Sequence, residues 1–432
     1  MKARLSIIVL AAAFAAALLP ANCPAEPLER RFEDLERMVE QLKQTVERQE
    51  RQLQEQAQII ESLKNGLAAD GMARMVEPHL DKHILHERAG VAEQLGNIRI
   101  AIGLTGVVQG SIDGEELSGE GDDQTDGSWS MDLELESPVG ENGLAFVRVE
   151  PGQGNGLTDE FDDVLQNVNE DAADNESRFE VTEAWYEHYL FDHRAGLSVG
   201  KVDVTNYFDT NAVANDERYQ FLNSALVNSA AVEFPDNGLG AVLTVNPAYW
   251  AWLSFGWAEG DSDWEDVADD GFGMVEAGFR PNLFEREGAY RMYAWVNGSD
   301  KELLKRPDRR DDGWGVGLSF DQKLTALLAV FVRAGWEDED VYEVEGAWSA
   351  GLEMRGGKWN REHDVLGIAV AQALINDKVE PDDTETLFEA YYSIALSERF
   401  HLSPDIQIIN NPAGDDENDT LFVLGTRAQL EF

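Results

Sequence analysis

Seven histidines and a single cysteine are the side chains of this 432-residue chain best suited to metal or nucleophilic chemistry. His79, His83 and His86 are spaced so that one helical face carries all three, and imidazole is a common zinc ligand. Their setting reads instead as a solvated linker helix. His188, His193, His363 and His401 sit in no recognisable Ser/His constellation. Cys23, standing alone, excludes a disulfide framework and any cysteine-based metal site. Asp122, Asp126 and Gly127 partly echo a calcium loop, but Leu133 stands where the terminal Glu belongs. No catalytic constellation, metal or cofactor is therefore expected, and the chain does not read as an enzyme.

What remains is charge. The chain has 83 acidic against 34 basic residues, a formal net charge of -49. That balance excludes a nucleic-acid binder, which needs clustered Lys and Arg, and argues against docking on bare anionic lipid. With 43% hydrophobic residues and 11 Trp, 10 Tyr and 19 Phe, the chain is too apolar to be disordered. The elements must hold this charge on a folded, aromatic-rich body.

The N-terminus reads as an export signal. Lys2 and Arg4 precede a largely apolar run at 5–19, too short for a membrane span, and Cys23-Pro24-Ala25 suits cleavage after Ala25. Lipidation of Cys23 is the rival reading, and Asn22 before it is a poor fit. Residues 26–70 predict a coiled coil. Phe32, Val39, Val46, Leu53, Ile60 and Leu67 take a positions, and Leu28, Leu35, Leu42, Gln49, Gln56 and Leu63 take d positions. At ~1.5 Å per residue it would reach ~60 Å. Gly66 and Gly71 end the helix, and 71–96 is expected as a linker.

From Asn97 the period changes to two. Trp129, Met131, Leu133 and Leu135 alternate with Ser130, Asp132, Glu134 and Glu136; Phe422, Leu424, Thr426, Ala428 and Leu430 alternate with Gly425, Arg427, Gln429 and Glu431. Such alternation fits a transmembrane β-barrel or a soluble sandwich, and periodicity alone does not separate them. Connection lengths do. Sixteen strands can be placed between 98 and 432, and the odd-numbered connections (113–127, 151–177, 204–237, 259–271, 298–312, 337–343, 376–384, 410–419) are mostly the long ones. Seven of these, all but 204–237, hold about 40 of the 83 acidic residues. Short periplasmic turns alternating with long outer loops are the barrel pattern. The expected fold is thus an all-β transmembrane barrel of 16 antiparallel strands, preceded by a periplasmic coiled coil. Segment 204–237 is the exception among the loops. It is poor in acid for its length, and its Phe208, Tyr219, Phe221, Leu222, Leu226 and Val227 must pack against something.

Two stretches carry a family resemblance. One is Gly200-Lys201-Val202-Asp203, Tyr207-Phe208-Asp209, Asn211, Ala214-Asn215-Asp216-Glu217 and Gln220-Phe221, continuing through Pro235 and Gly238 to Gly240-Ala241. The other is Ser403-Pro404-Asp405-Ile406-Gln407-Ile408-Ile409-Asn410-Asn411-Pro412-Ala413-Gly414, then Gly425, Arg427 and Phe432. Over 178–432, and more loosely over 97–177, the chain resembles the carbohydrate-selective porins of the OprB type in Gram-negative outer membranes. The resemblance does not extend to the coiled coil. It implies a sixteen-stranded barrel, usually a homotrimer, passing sugars and small polar solutes down their gradients. It also implies that Phe432 is the signal read by the barrel-assembly machinery. Segment 204–237 corresponds to the loop that folds into the pore and narrows it.

Selectivity in such a pore comes from width, lining polarity and internal field. By strand parity the expected wall residues are Arg148, Lys201, Asp203, Arg280, Arg291 and Arg333, with Gln372, Gln407, Arg427 and Gln429 beside them. The loop is expected to add Asn206, Asp209, Asn211, Asn215, Asp216 and Glu217. Wall arginines facing loop acids across a constriction is one reading; ion pairs that merely pin the loop to the wall is the other. Two further functional readings stay open. One is a general cation-preferring porin, since an acidic vestibule concentrates cations. The other is an envelope tether, in which the coiled coil contacts the cell wall and the barrel is its anchor. Outer-membrane lipid and lipopolysaccharide are the expected surroundings.

Overall fold

Alternation carries the chain from Ile98 to Glu431 into strands. The computed structural model describes residues 93–95, 97–112, 124–157, 161, 164–172, 178–262, 264, 270–283 and 285–432. The expected signal peptide (1–25), coiled coil (26–70) and His79, His83 and His86 lie outside them.

A short strand β1 (Glu93–Leu95) pairs with the start of β2 (Ile98–Ile112). There follow β3 (Thr125–Val139), β4 (Gly143–Gln153), β5 (Arg178–Leu190), β6 (Ala195–Val202), β7 (Gly238–Ala248), β8 (Ala251–Glu259) and β9 (Gly271–Phe279). The second half comprises β10 (Gly288–Leu303), β11 (Arg306–Lys323), β12 (Leu328–Glu337), β13 (Val344–Gly356), β14 (Arg361–Ile375), β15 (Glu385–Ala395), β16 (Phe400–Asn410) and β17 (Leu421–Glu431). Each strand from β2 pairs antiparallel with the next, and β17 closes on β2 through registers such as Arg427↔Val107. Sixteen strands therefore form a closed barrel with no free edge, and closure removes the unpaired backbone that an open sheet would present.

The exposure of the two faces separates barrel from sandwich. On β2, Ile98, Leu104, Val108 and Ile112 point outward and are exposed, while Thr105, Val107, Gln109 and Ser111 point inward and are buried. On β3 the inward set is Ser128, Ser130, Asp132, Glu134 and Glu136, all buried, against outward Trp129, Met131, Leu133 and Leu135. The apolar face is thus the open one, the reverse of a water-soluble sandwich and the arrangement that lipid requires. Exposed aromatics mark both rims. Trp129, Trp257, Trp314, Trp336 and Trp348 stand near the long loops, and Tyr249, Trp250, Phe279, Trp359 and Phe432 near the short turns.

Two expectations are corrected, and the weak calcium-loop echo is set aside. Segment 298–312 is no loop: β10 and β11 continue as a hairpin through it, turning only at Leu304 and Lys305. Opposite charges facing across the strands make this possible, with Lys301 opposite Asp311 and Arg310 bonded to Glu302 at 2.7 Å. Asp126 and Gly127 lie in β3, which excludes a calcium loop there. Gln372 faces outward, not into the lumen. Its amide accepts from Trp348 Nε1 (2.9 Å) and donates to Thr386 Oγ1 (2.9 Å) on the outer face.

Candidate functional site

The barrel interior is occupied by its own loops. Segment 203–237, joining β6 to β7, leaves the wall at Asp203, whose carboxylate accepts from Thr205 N (2.9 Å) and caps the short helix Val204–Asn206. Tyr207 and Phe208 then pack with Phe272, Met274, Tyr293 and Trp295 of β9 and β10. Gly256 on β8 makes room for Phe208: a Cβ there would lie 2.5 Å from the ring. Asp209 turns the chain in the left-handed region (φ 54°), a conformation Asp tolerates better than most residues. Its carboxylate accepts from Ser229 N at 2.8 Å and lies 3.2 Å from Arg333 Nε.

Arg333 of β12 is the centre of this anchorage. It donates to the carbonyls of Leu226 (2.8 Å) and Asp209 (3.0 Å) and to Asn215 Oδ1 (2.9 Å), so one guanidinium ties three parts of the loop to the wall. Asn211 Nδ2 donates to Ser319 Oγ (3.1 Å) on β11. Glu389 of β15 accepts from the backbone N–H groups of Leu222 (2.6 Å) and Asn223 (3.1 Å) at the start of the one-turn helix Ser224–Val227. Phe221 and Leu226 bury themselves against Phe331 and Tyr391, with Phe221 edge-on to Tyr391 at 5.1 Å. Arg427 Nη1 donates to the carbonyl of Glu217. The loop thus fills the side of the lumen bounded by β9–β17.

A second loop joins it. Residues 164–172, expected with the outward acidic loops, fold inward instead. Gln109 and Gln407 both donate to the carbonyl of Val168 (2.9 and 2.8 Å), and Leu157, Phe161 and Val168 enter the same apolar cluster as Phe221. Ser130 Oγ donates to Asp171 Oδ1 at 2.8 Å. The apolar residues Leu157, Phe161, Val164 and Val168, spaced through an acidic segment, were the available signal for this.

Between these loops and the opposite wall of β3–β6 lies a cavity of about 1030 Å³. Arg148, Lys201, Asp203, Asn206, Asn215, Asp216 and Glu217, all expected at the pore, line it together. The other expected residues do not line it. Asp209, Asn211 and Arg333 are buried in the anchorage just described. Arg291 is bonded to the wall's own Asp321 at 2.7 Å rather than to a loop acid. Arg280 stacks over Trp252, 4.3 Å from the ring centre, near the short-turn end. At Arg333 wall and loop pack into contact and leave no gap between its guanidinium and Asp209.

Glu134, Glu150, Glu183, Asp171 and Arg218 also line the cavity and were absent from the expected set. Arg148 Nη2 donates to Glu134 Oε1 (2.8 Å), and its Nη1 lies 2.8 Å from Glu183 Oε1. Asn206 Nδ2 reaches the same Glu183 oxygen at 3.3 Å. Lys201 Nζ donates to Glu180 at 2.7 Å. Arg218, on the inner loop, crosses to the wall: its Nη1 is 2.9 Å from Asp132 Oδ2 on β3, while its Nε is 3.3 Å from Asp216. Phe146 and Trp185 stack beside these groups, ring centres 4.9 Å apart. The alternation on β3 had already set Asp132 and Glu134 on one face; nothing local marked that face as the open part of the lumen.

Crowded acid shifts the loop carboxyls. Burial, reinforced by Glu217, pushes Asp171 up to about 8 against the pull of the Ser130 hydroxyl. Burial and then Asp216 push Glu217 up to about 7, with Arg218 opposing. Burial alone would lower the Arg218 guanidinium, but Asp132, Asp216 and Glu217 hold it well above its ordinary value. Among the described residues, no group of three or more His, Cys, Asp or Glu is arranged to hold a metal ion. The arrangement is a polar, charged conduit wall with two stacked rings, suited to reversible hydrogen bonding with hydroxylated solutes.

Residues 119–432 match the family model of the carbohydrate-selective porins, OprB family. An uncharacterized protein of Aquifex aeolicus is 30% identical over 239 residues, covering 55% of this chain and 65% of the relative. Porin AaxA of Chlamydia abortus is 25% identical over 233 residues, covering 50% of this chain and 49% of that protein. The chain thus spans between about half and two thirds of the length of these curated relatives. The high-pH structure of Pseudomonas putida OprB superposes with a TM-score of 0.70 at 17% identity, covering 78% of this chain and 94% of that one. Its low-pH structure gives 0.53 at 15% identity, covering 78% and 93%. These likenesses establish the same barrel fold.

Proposed function

Because this chain belongs to the carbohydrate-selective porin family, OprB, we propose that it is an outer-membrane channel for passive diffusion of carbohydrates and other small polar solutes. One observation carries the reading: a closed barrel, apolar outside, whose inward-folded loops leave a single-sided polar cavity against β3–β6. A channel needs weak, multiple contacts rather than one tight site, because tight binding stops flux. Carboxylates, amides and the Phe146–Trp185 stack supply such contacts. Arg148, Lys201, Asp203, Asn206, Asn215, Asp216 and Glu217, joined by Glu134, Glu183 and Arg218, are the proposed solute-facing residues. Asp209, Asn211, Arg291 and Arg333 are proposed to hold the loop and wall in shape.

The family and the barrel support a place in the outer membrane and a channel rather than an enzyme. Long loops outward, a homotrimeric assembly and an N-terminal coiled coil in the periplasm with cell-wall contact belong to the same proposal. Planar-bilayer recording of refolded full-length protein tests it: discrete conductance steps, with current noise rising on addition of maltooligosaccharides, are expected. Protein that inserts and gives no conductance overturns the reading.

A further inference from the structure

The cavity has a charge imbalance that a sugar channel does not require. Twelve acidic residues and three basic ones line it. Each of the three cations is already engaged by acid. Lys201 is held by Glu180 (2.7 Å), Arg148 by Glu134 and Glu183 (both 2.8 Å), and Arg218 by Asp132 (2.9 Å), Asp216 (3.3 Å) and Glu217 (3.9 Å). The arrangement is not a positive wall facing a negative loop. Acid stands on the wall, with Glu134, Glu150 and Glu183, and on the loops, with Asp171, Asp216 and Glu217. Two wall cations behind the inner loop are matched too, Arg333 by Asp209 and Arg291 by Asp321.

We propose that this channel selects by solute charge, admitting neutral sugars and cationic solutes such as amino sugars while turning away sugar phosphates and sugar acids. This rests on the porin reading above and narrows its substrate class. An anionic solute needs a guanidinium or ammonium to replace its water, and in this cavity it must compete with a carboxylate for each one. It does so in a field of surplus negative charge, which low-dielectric walls strengthen. A neutral sugar meets no such barrier, because its hydroxyls donate to carboxylate oxygens. An ammonium group adds a charge-assisted bond to the same oxygens and is drawn in by the field. The Phe146–Trp185 stack contributes an apolar face whatever the solute charge, so the discrimination comes from the acids.

The test uses full-length refolded protein in planar bilayers and in liposomes. A potassium chloride gradient reads the cation-to-anion permeability ratio. Liposome swelling compares glucose with glucosamine and glucuronate, which are close to it in size, and with the larger glucose 6-phosphate. Expected is a cation preference of roughly tenfold or more at ~0.1 M salt, since acid-lined clefts raise counter-ion concentration by that order. The preference should fall towards unity near 1 M as the screening length shrinks to ~3 Å. Glucosamine and glucose should enter at least several-fold faster than glucuronate or glucose 6-phosphate. The E150Q/D236N double variant, whose lining carboxyls lie outside the ion pairs named above, should conduct and lose several-fold of the preference. Equal or anion-favouring permeability in a conducting channel, or equal swelling rates, overturns the charge inference and leaves the porin reading standing. No conductance from inserted protein overturns both.

Discussion

The Arg333 guanidinium on β12 and the Asp209 carboxylate on the inner loop lie 3.2 Å apart, at 1% and 0% exposure. Two charges so far from water persist only because each is bonded on several sides: Arg333 to three loop acceptors, Asp209 to the Ser229 amide as well. The pair makes the loop part of the wall.

Arg333→Ala should therefore strand Asp209 as a buried unpaired charge. A loss of about 3–5 kcal/mol in loop anchorage is expected. Single-channel records should show a noisier and larger current, and limited proteolysis should cut within 203–237. An unchanged current with an unchanged digestion pattern would show that the rest of the anchorage suffices.

Arg218→Ala should widen the channel without loosening the barrel. Arg218 is the cation that carries the inner loop across to Asp132, whereas Ser319, Glu389 and Arg333, which also hold the loop, are on β11, β15 and β12. A double-mutant cycle with Asp132→Asn, read through half-blocking maltooligosaccharide concentration, should give a coupling of about 0.5–3 kcal/mol. Additivity of the two single effects would mean that the contact does not set the aperture.

Cation preference should rise with pH. Asp171 and Glu217 hold their protons up to about 8 and about 7. Asp171 faces Glu217, Asp132, Glu150 and the Ser130 hydroxyl; Glu217 faces Asp216, Asp132 and Arg218. Raising the pH from 6 to 9 removes a proton from each carboxyl and adds negative charge to a lining that is already acidic. The permeability ratio should climb through that window, and Asp171→Asn should remove the upper part of the rise. A ratio that is flat or falls between pH 6 and 9 contradicts this assignment.

Gln372→Leu serves as the outward control. Its amide bridges Trp348 and Thr386 on the outer face. Conductance, sugar block and ion preference should all match the unsubstituted protein, with thermal stability changed by no more than about 1 kcal/mol. A shift in any of the three currents would place Gln372 in the conduction path.

Much of the fold was legible because a strand's side chains alternate by geometry alone. Trp129 and Asp132 could be assigned to opposite faces before any strand pairing was known. The hairpin at 298–312 escaped because a run of charged residues reads as solvated loop, and only the facing of Lys301 with Asp311 and Glu302 with Arg310 turns it into strand. Gln372 differs for a related reason: a polar side chain on a barrel strand reads as lumenal, while its partners Trp348 and Thr386 hold it on the outside.

By itself, the sequence determined the sixteen barrel strands, the closure they imply, and the apolar outer face of strands such as β2 and β3. It also marked 204–237 as a loop that must be buried, since Phe208, Phe221 and Leu226 have no place in water. It did not determine where in the lumen that loop lies. That depends on contacts between residues 100 or more positions apart, such as Arg333 with Asp209 and Glu389 with Leu222. Those contacts decide which inward residues are sealed behind the loop and which face open space. The tertiary structure alone therefore places Arg291 and Arg333 in buried ion pairs away from the open cavity. It brought Arg148, Glu134, Glu183 and Arg218 to the open side, because lumen exposure is a property of what packs opposite a residue and not of the residue itself.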